Sequence, residues 1–230
     1  MFDTIILLTG PAEHAAFATM LRGHHPSLTV VPVFTVADLA AIDTGWLRRA
    51  RLVSVATDVI VPGAVTDHLG YGAYHFHLGP PSYPDRAAAQ LALREQAPEF
   101  GCTLHRVSEG GRGPIIDVDL FAIPPGIDAS GLEQMAYTRL VHMFWRMSQP
   151  LATQAMPLIV RALRWGAGRP TRSSIQTIGA APLTVLRHGV KLIESSGGDF
   201  SIAPSIPMHG SAARDLISER EVSPHASVEA

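Results

Sequence analysis

The sequence predicts a doubly wound, mostly parallel α/β sheet with a helical C-terminal extension, and three observations carry that prediction. Short apolar, β-branched runs alternate with helical patterns through the first hundred residues. Gly and Pro close several of these runs, at Gly10-Pro11, Pro62 and Gly79-Pro80-Pro81. Apolar residues are 47% and charged residues 17% of the 230 residues, enough to bury a core and too apolar for a disordered chain.

Thr4–Leu8 is a short buried-strand pattern ended by Gly10-Pro11, and Ala12–Leu21 spaces Phe17, Met20 and Leu21 along one helix face. Thr29–Phe34 predicts a second strand, followed by a helical segment over Val36–Ile42. Leu52–Ala56 predicts a third strand, and Val59–Val61, stopped by Pro62, a loop after it. Ala73–Leu78 predicts a fourth strand and Ala87–Gln96 another helix. Cys102–Val107 and Ile115–Ala122 are two more strand-like runs, forming either a hairpin-like extension or a continuation of the sheet. Asp128 is a fitting N-cap for a long helix reaching about Met147, whose apolar positions suffice for the core or for a homodimer contact. A helical stretch is expected over Ala155–Trp165 and a strand over Val185–Glu194. These patterns divide the chain into an α/β domain over 1–150, a helical and strand extension over 151–194, and a loop-rich, partly disordered tail over 195–230.

Composition narrows the function. A net charge of −2 argues against an electrostatic grip on nucleic acid. The single cysteine, Cys102, excludes an intrachain disulfide or a cysteine-clustered zinc site, and its apolar setting suits an inert core thiol. No apolar run approaches ~18 residues, and MFDTIILLTG lacks the basic start of a signal peptide. A soluble, cytoplasmic protein with no membrane partner is the expectation. The first turn, Leu8-Thr9-Gly10-Pro11-Ala12-Glu13-His14, is not G-x-G-x-x-G, so no nicotinamide or flavin site is expected.

The informative stretch is Tyr71-Gly72-Ala73-Tyr74-His75-Phe76-His77-Leu78-Gly79-Pro80-Pro81-Ser82-Tyr83-Pro84-Asp85. Alternate side chains of a strand share a face, so His75 and His77 point the same way at a strand's carboxyl end, where open α/β sheets bind ligands. Two imidazoles there suit proton transfer near neutral pH. His105 adds a third on the later run Gly101–Val107. Three imidazoles could also supply three nitrogens to zinc, but no carboxylate or cysteine spacing reinforces that, so no metal site is expected. Ser82 and Ser108 lack a nucleophile-elbow motif.

His75-Phe76-His77 with its Pro-containing loop, Gly101-x-Thr103-x-His105-x-Val107, Glu109-Gly110 and Gly113-Pro114-Ile115-Ile116 together resemble the folate-dependent formyltransferases. Those enzymes use 10-formyltetrahydrofolate to formylate glycinamide ribonucleotide, methionyl-tRNA or sugar amines. The resemblance spans roughly residues 3–145 and is specific from 71 to 116. It implies a Rossmann-like sheet of the formyltransferase type, with 10-formyltetrahydrofolate as cosubstrate. The family's Asn-x-His corresponds to His75-x-His77: His77 would manage the proton, and His75 would stand where the family's asparagine donates to the formyl oxygen. The family's aspartate falls on Gly111, in a loop one residue short; Glu109 is the nearest substitute, with Asp117 and Asp119 weaker ones. Folate contacts would come from Val59, Ile60 and Val61 and from the loop Val107, Ser108, Gly110 and Gly111, although Val59–Val61 fit core packing equally well. The first loop lacks the glycines that hold phosphoribosyl groups, and only 83 residues follow Met147, too few for a tRNA-binding barrel and tail together. The resemblance therefore implies a small-molecule amine substrate. Arg161, Arg164, Arg169 and Arg172 suit a solvated face better than an anion site. A catalytically weakened folate-binding relative and a 10-formyltetrahydrofolate hydrolase are the alternatives.

Overall fold

A computed structural model describes residues 2–108 and 111–166 and the strands Val190–Glu194 and Phe200–Pro204. The chain forms two compact units, Met1–His188 and Gly189–Ala230. The first is built on a six-stranded sheet: β1 (Thr4–Leu8), β2 (Thr29–Val33), β3 (Ala50–Val55), β4 (Ala73–His77), β5 (Glu99–Arg106) and β6 (Ile115–Ala122). The strand order is β2-β1-β3-β4-β5-β6. The first four strands are parallel, β5 is antiparallel to β4, and β6 is antiparallel to β5. The two late runs therefore continue the sheet as a hairpin, and only β5 runs against the rest.

β1 and β3 are buried along their whole lengths, as central parallel strands covered on both faces require. On one face lie α1 (Pro11–His24) and α6 (Ala129–Thr153), whose Phe17 and Phe144 rings meet at 4.4 Å, with Phe76 of β4 beneath. Leu39, Leu47 and Val65 cover the other face, from α2 (Val36–Ala40), α3 (Thr44–Leu47) and α4 (Gly63–Thr66). They pack on Ile6, Leu8, Ala50, Leu52 and Ala73. α5 (Ala88–Arg94) packs its alanines against Phe100, Phe121 and α6.

Two predicted helix limits need correction. The long helix starts at the predicted cap, where the Asp128 side chain accepts from the Gly131 N–H at 2.7 Å, but it runs past Met147 and through Pro150 to Thr153. Its last carbonyls find a partner no local pattern announces: the buried Arg51 guanidinium of β3 donates to Leu151 O at 2.5 Å and Gln154 O at 2.7 Å. Ala155–Trp165 is not helical. It is an irregular strap whose Leu158 N–H reaches the Tyr74 hydroxyl and whose Arg161 N–H donates to Ile115 O on β6. Pro157 cannot donate in a helical turn, and the sheet edge supplies the partners a helix would have given.

The second unit contains an antiparallel pair, β7 (Val190–Glu194) and β8 (Phe200–Pro204). β7 matches the second half of the strand predicted over Val185–Glu194. The remainder of that prediction, Arg169, Arg172 and the rest of the predicted tail lie outside the described residues.

Candidate functional site

Alternation along β4 turns Tyr74 and Phe76 toward α6 and His75 and His77 toward the opposite face. The antiparallel register then sets His105 of β5 directly across from His75. The rings of His75 and His105 are 5.3 Å apart and those of His75 and His77 6.1 Å apart. The structure thus brings all three imidazoles of the sequence reading together. The parallel register of β3 adds Ser54 opposite His75, its Oγ 2.8 Å from His75 Nδ1.

The turn after β4 fixes His77. Its Nε2 lies 3.2 Å from Tyr83 O, a group that only accepts, so Nε2 carries the proton and Nδ1 the lone pair. Gly79 permits this: a Cβ there would stand 2.8 Å from both His77 Nε2 and Tyr83 O. Thr103 holds the same turn from β5, donating to Gly79 O at 2.7 Å. His105 Nδ1 donates to Arg106 O at 2.9 Å, which leaves its Nε2 with the lone pair.

All three rings are held below the ordinary histidine range, chiefly by burial. His105 is pushed down to about 4, with the Arg106 carbonyl opposing the shift and His77 and Arg112 adding to it. His75 lies well below 6.5, driven by burial and then by His105 and His77. His77 is lowered by burial, with the Tyr83 carbonyl working against it. At neutral pH the cluster is uncharged, with unprotonated nitrogens ready to accept a proton. No group of three His, Cys, Asp or Glu side chains among the described residues is placed to hold a metal ion.

These rings line a cleft of about 390 Å³. Val59, Ile60 and Val61 form an apolar wall with Leu78 and Val107. Val59 and Val61 also pack on the core beneath. Ile60 is 75% exposed. Gly111 lines the cleft with φ +92°, while Ser108 sits outside the lining and spends its hydroxyl on Arg112 O at 2.7 Å. Glu109 and Gly110 lie outside the described residues. Asp117 and Asp119 are no substitutes for a site carboxylate. The pleat turns them toward α6, where they pair with Arg139, Arg146 and Arg161. Cys102 is buried and its thiol is pushed up to about 12, first by burial, as an inert core thiol should be.

Sequence reading alone overlooks much of the lining, including Ser54, Asp85, Arg112, Glu133 and Trp165. Ser54 is recoverable by counting along β3 to its carboxyl end. Asp85, whose side chain is 11% exposed, pairs at 3.4 Å with Arg112 across the cleft. Both lie in stretches already singled out, but their pairing is a tertiary fact. Glu133 enters from α6, its carboxyl pushed up by burial, with the Gln90 side chain donating to it at 3.3 Å. Trp165 comes from the strap, 6.1 Å from the His77 ring and 4.9 Å from that of His105. No periodicity points to it.

No family model matches the chain, and no curated protein matches it in sequence. Its fold has solved counterparts. A sugar N-formyltransferase from Shewanella sp. superposes with a TM-score of 0.63 at 11% identity, over 88% of this chain and 98% of that one. The N-formyltransferase from Helicobacter canadensis, solved with folinic acid and dTDP-3-aminofucose, gives 0.54 at 15% identity over 72% and 70%. Glycinamide ribonucleotide transformylase 1 from Symbiobacterium toebii gives 0.53 at 16% identity over 73% and 95%. At these identities the likeness is one of fold: the chain is built on the α/β scaffold of the solved formyltransferases.

Proposed function

We infer that this cleft transfers a formyl group from 10-formyltetrahydrofolate to a small-molecule amine. The observation that carries the reading is the His75/His77 pair at the carboxyl end of β4, opening into a cleft walled by Val59–Val61, on a formyltransferase-like scaffold. The Helicobacter relative's folinic acid and aminosugar nucleotide suggest the same substrate classes here. The cleft suits a reduced folate: its volume lies within the range of small-molecule sites, and apolar side chains line it together with imidazole rings. When bound, that cosubstrate supplies a one-carbon group at the oxidation level of formate.

Amine attack on a formyl carbon releases a proton and builds negative charge on oxygen; as that charge collapses, the carbon's bond to the folate nitrogen breaks and the proton passes to that leaving nitrogen. Neutral His77 can take the proton at Nδ1, because Nε2 is committed to Tyr83 O. His75 serves as oxyanion donor if Ser54 gives its single proton to Nδ1, the shorter of its two contacts, leaving N–H at Nε2. Ser54 thereby sets the tautomer. Asp85, held by Arg112 beside His77, would stabilise the imidazolium that forms; its charge favours protonated His77.

Gly111 favours a second reading, a folate-binding relative without turnover, because the family's carboxylate position is a glycine in a left-handed conformation. The test is to incubate the full chain with 10-formyltetrahydrofolate and a panel of amines, including free and nucleotide-linked amino sugars, while following tetrahydrofolate release. Amine-dependent release is expected, reduced about 10²-fold or more in His77→Ala. Release that ignores the amine identifies a hydrolase. Tight folate binding with no release in any mixture identifies the binding relative, and absence of binding rejects both.

A further inference from the structure

Residues 154–166 leave the end of α6, cross the edge of the sheet at Ile115, and finish at the cleft. There the strap is fastened twice. The Trp165 indole N–H donates to Gly113 O at 2.8 Å, in the loop before β6. The Gly166 N–H donates to Pro81 O at 2.8 Å, in the loop after β4. The backbone is closely packed at both points: a Cβ on Gly113 would stand 2.2 Å from Arg106 O, and one on Gly166 would stand 3.0 Å from Ser82 Cα. Between the two fastenings the indole presents its ring to His77 and His105, steeply inclined to both at 70° and 86°. Tryptophan alone combines a large flat apolar body with an N–H donor at its rim.

We propose that Trp165 is a positioning residue of the cleft, tying the loop after β4 to the loop before β6 and keeping water from His77 and His105. His77 otherwise faces His75, Asp85, Arg112 and the Tyr83 carbonyl; His105 faces His75, His77, Arg112 and its own Arg106 carbonyl. Asp85 favours the charged His77 ring and Arg112 the neutral one, so these charges oppose each other and the aromatic cover adds to the burial that holds both rings neutral. The proposal rests on the formyl-transfer reading only for its kinetic arm.

The experiment follows the histidine ring resonances of the full chain by NMR as pH is varied, in wild type, Trp165→Ala and Trp165→Phe. Trp165→Ala is expected to raise the titration midpoints of His77 and His105 by roughly one unit as water enters. Trp165→Phe keeps a ring and loses the N–H tie, and a smaller rise is expected. If Trp165→Ala does not fold, Trp165→Phe carries the test alone. Midpoints that stay at their wild-type values in the folded variants overturn the proposal. Where turnover is measurable, the acid limb of the kcat profile should move to higher pH, with KM for folate changing less. Absence of turnover would reject the formyl-transfer reading and leave the titration result standing.

Discussion

Three imidazoles, His105 buried and His75 and His77 half-buried, share one patch of sheet, and their titration reaches into stability. His105 is 3% exposed and titrates at about 4 in the folded chain, against about 6.5 when unfolded. Protons therefore favour the unfolded chain. The stability that the neutral ring secures is complete above pH ~6.5 and is lost as pH falls through about 4, to an extent of about 3 kcal/mol. His75 and His77 are shifted in the same direction. The urea midpoint is expected to fall between pH 7 and pH 4.5, and His105→Gln should flatten that fall. An equally steep fall in the variant would mean that the acid sensitivity lies elsewhere. Much of this cluster was legible from residue types: His-x-His before Gly-Pro-Pro announces a paired face at a strand end, and a third histidine follows on a later strand. The Ser54 partner needed strand register, and the Asp85–Arg112 pair needed two loops to meet.

At the scale of elements, the end of α6 shows why sequence boundaries failed there. Pro150 and Pro157 suggest interruptions, yet the helix closes at Thr153 because a side chain a hundred residues earlier receives its carbonyls. The Arg51 guanidinium lies 4.7 Å from the centre of the Phe2 ring and 5.2 Å from that of Tyr74. It sits at the negative end of the helix dipole, which favours a cation. Burial lowers its pKa, but the group stays charged at any physiological pH. Arg51→Met should leave several carbonyls without a donor and cost about 3 kcal/mol in a denaturant titration. Arg51→Lys should recover little of it, because one ammonium cannot reproduce the planar fork. A loss within a few tenths of a kcal/mol for Arg51→Met would show that water or the strap can cap the helix instead. The same contact matters for the cleft, because it fixes where the strap begins and so where Trp165 arrives.

For the molecule as a whole, the alternation of strands and helices through Arg94 carried the doubly wound architecture, since local patterns and short connections decide it. The antiparallel turn of β5 was open, because an extended apolar run does not encode its direction. The strap was misread as helix, because its hydrogen bonds lie with Tyr74, Ile115, Gly113 and Pro81, far away in sequence. Within the first unit, these pieces converge on one cleft lined by both the exposed Ile60 and the three imidazoles. No helix among the described residues is long and apolar enough to cross a membrane. The most direct measurement is a crystal structure of the full chain with 5-formyltetrahydrofolate. The pterin is expected against Val59, Ile60 and Val61, with the formyl group beside His75 and His77. A folate bound away from those rings, or a cleft that stays empty at saturating folate, would contradict that placement.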